Sequence, residues 1–126
     1  MLLGSLSENL VTLLCFDKER APIIRGVVDV AMFGGIHKTL VVRIYAFIDQ
    51  FKRPPGDHLP DILSDILEGN NPREATLYAE IIGQIHDARA GINAEYVMSQ
   101  LETFIKRQSL RSIAIDLAKA LQRDTE

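Results

Sequence analysis

Apolar residues along the chain recur three and four positions apart, the spacing at which side chains share one face of an α-helix. Ser5 followed by Glu8 is a capping-box arrangement and opens a first helix through SENLVTLLCF, which Asp17 stops. Pro22 suits the first turn of a short second helix, where the N–H it lacks would have no partner anyway. Ile23, Ile24, Val27 and Val28 give that helix its buried side, and Asp29 caps one further turn, VAMF, before Gly34-Gly35. A long helix follows over about 36–51, with Leu40, Ile44, Phe47, Ile48 and Phe51 on one stripe, and Pro54-Pro55-Gly56 ends it. The run DHLPDILSDIL reads as a short helix with Leu59, Ile62, Leu63, Ile66 and Leu67 inward and its aspartates outward. Asn71-Pro72, with Glu74 at the capping-box position, starts another, whose inward residues are Leu77, Tyr78, Ile81, Ile82 and Ile85.

After Gly91 the spacing predicts one last helix, capped by Asn93 and free of Pro and Gly from Ala94 to about Arg123. Thirty residues at 1.5 Å each make it roughly 45 Å long. Its apolar stripe changes phase. Val97, Leu101, Phe104 and Ile105 mark one side; after KRQS, Leu110, Ile113, Leu117 and Leu121 mark the nearly opposite one. The first half would pack on the domain's own core, and the second needs a different partner. A kink or break near Gln108–Ser109 is the alternative, since it would let both halves cover one core. The pattern contains no convincing strand and no internal repeat, so the expected fold is all-α: a compact multi-helix domain with a long C-terminal helix. One domain spans 1–126, with a globular part over about 5–105 and a helical arm over about 106–126.

Composition narrows the classes of function. A net charge of −3 lacks the basic footprint that phosphate neutralisation leaves. Over residues 54–95 eight acidic residues face two basic ones, a balance of −6 that would repel a nucleic-acid backbone. The single cysteine, Cys15, lies in the apolar run 10–16, where it reads as a small buried hydrophobe; it excludes an internal disulfide and fits a cytoplasmic chain. No run approaches a membrane span, and the opening MLLGSLSEN lacks the features of a signal peptide.

The chemistry of an active site is hard to find. GGIHKT at 34–39 has Lys38-Thr39 but no glycine directly before the lysine, so it reads as a helix-entry loop and not a phosphate cradle. His37, His58 and His86 are isolated, without the spacing that presents two rings on one helical face. His86-Asp87 is the nearest approach to a metal pair, and a small helical metal-dependent hydrolase built on it is one alternative reading. Lys106, Arg107 and Arg111 cluster midway along one long helix, unlike the exposed recognition helix of a helix-turn-helix. No catalytic, cofactor-binding or metal-binding residue is therefore assigned. The candidate interface is Leu110, Ile113, Leu117 and Leu121.

The order of these signals resembles the N-terminal domain of replicative DNA helicases of the DnaB type. ENLVTLLCFD, APIIRGVV, DVAMF, HKTLVVRIYAFIDQF and KRPPGDHLPDILSDIL are similar to the family's succession of helix, Asp break, short helix, acidic-plus-Phe turn, long helix, Pro/Gly loop and short helix. INAEYVMSQLETFIKRQSLRSIAIDLAKAL is similar to its later Asn-capped helix with an early Tyr and a following basic stretch. The resemblance runs from about Ser5 to Leu121 and covers spacing and breaks, with no catalytic motif. It implies a non-catalytic collar domain that self-associates as a dimer or higher oligomer, docks primase and influences helicase-loader access during DNA replication. It also implies that the last helix is the outgoing arm of a helical hairpin. ATP and Mg would belong to the family's motor domain, whose P-loop this chain lacks; no cofactor is expected here. A stand-alone helical adaptor of phage or plasmid replication is the other alternative.

Overall fold

Within the first helix, residues 10–15 are buried without interruption. Six consecutive buried residues take a helix through more than a full turn, so this segment must be covered on every side. A computed structural model, which describes Leu2 and residues 4–124, shows how. The chain is all-α, with no strand among the described residues. It divides into two compact units, Met1–Ile92 and Asn93–Glu126.

In the first unit, α1 (Gly4–Phe16) is packed by α2 (Ala21–Val27), α3 (Gly35–Phe51), α6 (Pro72–Ala88) and the 3₁₀ turn η2 (Gly56–His58). Leu10, Val11, Leu14 and Cys15 are wholly shielded, and Ile24, Leu40, Val41, Ile44 and Leu63 close around them with equally complete burial. A second 3₁₀ turn, η1 (Val30–Met32), precedes α3, and two single-turn helices, α4 (Leu59–Ile62) and α5 (Ser64–Leu67), lead into α6.

The caps follow from side chains that reach their own backbone. Asp29 accepts from the Ala31 N–H, and Asn71 accepts from the Glu74 N–H, as their sequence positions imply. Asp17 accepts from the Glu19 and Arg20 amides and pairs with the Arg20 guanidinium at 2.9 Å, which fixes the corner between α1 and α2. Burial works to raise the Asp17 pKa, but these hydrogen bonds and the Arg20 charge outweigh it and hold the carboxyl below its ordinary value. The helix α3 ends before the prolines, at Lys52, whose φ of 60° places it in the left-handed conformation of a helix C-cap.

Several inward assignments change. Ser5 lies inside α1, which begins at Gly4, so it cannot act as the helix cap. Ile23 and Val27 are about half exposed, because α2 contributes only Ala21 and Ile24 to its buried side. Phe51 and Leu77 are also about half exposed. Val41 and Tyr45 are buried instead, since α3 is covered by η1 and α4 as well as by α1. The run DHLPDILSDIL is not one helix: it breaks at Leu63, which turns fully into the core.

Two long-range ion pairs fasten α3. Arg25 of α2 makes two hydrogen bonds to Asp49 and lies 4.4 Å from the centre of the Tyr45 ring. Arg43 does the same with Asp65 and also donates to the Ile62 carbonyl. Both carboxyls are held below the usual range by their guanidinium partners. The Tyr45 hydroxyl donates to the Val28 carbonyl at 2.8 Å, and burial pushes its pKa up to about 12.

Ile44→Ala removes a fully buried side chain and is expected to cost about 2–5 kcal/mol. Tyr45→Phe leaves the Val28 carbonyl without its donor, at about 1–3 kcal/mol. Urea unfolding followed by circular dichroism measures both; an Ile44→Ala midpoint equal to the parent's contradicts this core.

Candidate helix-docking surface

The second unit is one helix, α7 (Ala94–Asp124), 31 residues and about 46 Å long at 1.5 Å per residue. Asn93 starts it: its side chain accepts from the Tyr96 N–H at 3.1 Å, and its carbonyl accepts from the Val97 N–H at 3.0 Å. With no Gly or Pro to interrupt the backbone ladder, α7 runs unbroken through Gln108 and Ser109. No break interrupts the helix there, and the change of phase is a property of one continuous helix.

Leu110, Ile113, Leu117 and Leu121 all lie on that helix, at spacings of three and four, and together form a stripe about 17 Å long. Their exposures are 67%, 62%, 58% and 58%. Every described side chain from Ser109 to Arg123 is exposed. Ala114 and Ala118 border the stripe with small side chains that let another helix approach closely. Ile115, also exposed, points off it.

Charge is distributed along the edges. Lys106 pairs with Glu102 at 2.9 Å, an i,i+4 contact that draws the Glu102 carboxyl below its ordinary value. Arg107 and Arg111 follow one turn apart on a single edge, and neither has an ion-pair partner among the described residues. An apolar stripe with charge along its edge is the arrangement by which helices recognise other helices.

The remaining candidates lie in the first unit. His86, near the end of α6, has its Nε2 at 3.6 Å from Asp57 and its Nδ1 at 3.6 Å from Asp87. Its ring meets Phe16 edge-on, with centroids 6.2 Å apart, and Arg89 stands over the same phenyl ring. Arg89 also donates to the His86 carbonyl. The sequence does not show that Asp57 approaches His86, because α4, α5 and most of α6 lie between them. His58 pairs with Asp61 one turn away, and His37 borders a small cleft between α1 and α6. No group of three His, Cys, Asp or Glu among the described residues is placed to hold a metal ion. Lys38 and Thr39 fall in the first turns of α3, entered through Gly35, whose φ of +55° belongs to the left-handed region. Among the described residues no helix is long and apolar enough to cross a membrane.

Comparison with protein-family models, with curated proteins and with solved structures yields no match.

Cys15 is shielded completely, and burial pushes its thiol up to about 12. In the native chain it should therefore resist a thiol reagent such as dithionitrobenzoate at neutral pH and react fully in denaturant. Rapid labelling of the native chain contradicts this placement.

Proposed function

We propose that this chain is a non-catalytic protein-interaction domain equivalent to the N-terminal collar of a DnaB-type replicative helicase. In this role it supports assembly of the helicase and binds primase, and α7 carries the self-association. The observation behind this reading is the exposed stripe Leu110, Ile113, Leu117 and Leu121 along one side of α7. The resemblance of residues 5–121 to the helicase domain supplies the biological setting.

Energetics indicate what kind of association to expect. Fully burying an aliphatic side chain of this size is worth about 1.5–3 kcal/mol, and these four are already partly shielded. Association itself costs about 4–15 kcal/mol before any contact contributes. The stripe alone therefore comes close to balance, and the association is weak and concentration-dependent unless other surfaces add to it. The excess of acid over base from residue 54 to 95 disfavours direct contact with a phosphate backbone there and favours protein partners.

The double substitution Ile113→Asp with Leu117→Asp places two carboxylates in the stripe and is expected to leave the chain monomeric. Sedimentation of parent and variant over a concentration series measures this. Identical association of the two would exclude the stripe as the interface.

A further inference from the structure

The C-terminal end of α3 carries an aromatic groove that the core leaves open. We infer that it binds a peptide segment of a partner protein in which a bulky apolar side chain is flanked by acidic residues. This inference concerns the first unit alone and does not rest on association through α7.

The first argument is the shape and lining of the groove. Phe47 and Phe51 stand one turn apart on α3, with ring centroids 4.6 Å apart. Phe51 keeps 49% of its surface exposed, so an apolar side chain laid over it gains free energy. Pro54, in the loop after α3, and Ile62, at the end of α4, complete the apolar floor. Together they line a depression of about 410 Å³. Ligand pockets occupy about 300–1,000 Å³. The depression therefore has room for one large apolar side chain and the backbone beside it.

The second argument is charge. Between Ile44 and Asp65 the chain has four carboxylates, Asp49, Asp57, Asp61 and Asp65. Each has a basic side-chain nitrogen within 3.6 Å, from Arg25, His86, His58 and Arg43 respectively. Lys52 and Arg53 lie in the same stretch and make no ion pair among the described residues. Arg53 lines the groove, and the one carboxylate on the rim, Asp61, is engaged by His58. The acidic residues of this stretch are thus already occupied. What the groove presents to a partner is positive charge beside an apolar floor. Aromatic side chains with a guanidinium beside them are the composition of a protein-recognition hot spot, and the charge selects an anchor flanked by carboxylates.

Fluorescence anisotropy of the full chain tests this with a fluorescein-labelled peptide carrying one phenylalanine between pairs of glutamates. Two control peptides replace the phenylalanine by serine or the glutamates by lysines. The parent chain should bind the first peptide about tenfold more tightly than either control. Phe51→Ser should weaken that binding about tenfold, with circular dichroism verifying that the variant folds. Arg53→Glu should reverse the charge preference, so that the lysine peptide becomes the tighter ligand, a gain that misfolding cannot produce. A parent chain that does not distinguish the three peptides overturns the inference. So does parent-like binding by Phe51→Ser or by Arg53→Glu. Competition by oligothymidylate as strong as that by the unlabelled peptide would assign the groove to a phosphate backbone and overturn the inference as well.

Discussion

The first unit depends on the complete burial of residues 10–15 of α1. Residues 10–15 are so continuously apolar, apart from Thr12, that no single face of the helix can be left to water. Thr12 is accommodated because its hydroxyl donates to the Glu8 carbonyl one turn back, within the helix. Everything else is arranged as cover. The Asp17–Arg20 corner folds α2 back onto α1, and the Arg25–Asp49 and Arg43–Asp65 pairs hold α2 and α5 to α3. These pairs are largely exposed, so they direct the arrangement of the helices more than they stabilise it.

The second unit reverses that situation. One helix cannot cover its own stripe, and helix formation alone gives a marginal gain at this length in water. An apolar stripe exposed to water is therefore a surface that gains free energy when another molecule covers it. The functional proposal rests on this asymmetry between a helical segment covered on all sides, residues 10–15, and a helix with a bare side.

How much of this was legible depends on the range of the interaction. The caps at Asp29, Asn71 and Asn93 could be read because each is a side chain bonding a backbone amide two or three residues away. Ser5 offered the same signal and failed because the helix begins one residue earlier, at Gly4. Period alone gives a stripe but not its width. It therefore made Ile23, Val27, Phe51 and Leu77 look buried, and missed Val41 and Tyr45, which neighbours distant in sequence cover. The ion pairs across 24 and 22 residues are tertiary facts with no local trace. The four stripe residues were readable because they depend on nothing but helical phase along one uninterrupted segment. Leu77 was not readable as a surface residue, since only the packing of α6 shows which of its apolar side chains is left outside.

The most direct test of the central claim is amide hydrogen exchange along residues 107–123 as a function of protein concentration. An α7 that is bare in the single chain and covered in the assembly should exchange rapidly when dilute and slow progressively as copies associate, while residues 10–15 stay protected throughout. Protection of residues 107–123 that does not change with concentration would contradict the account.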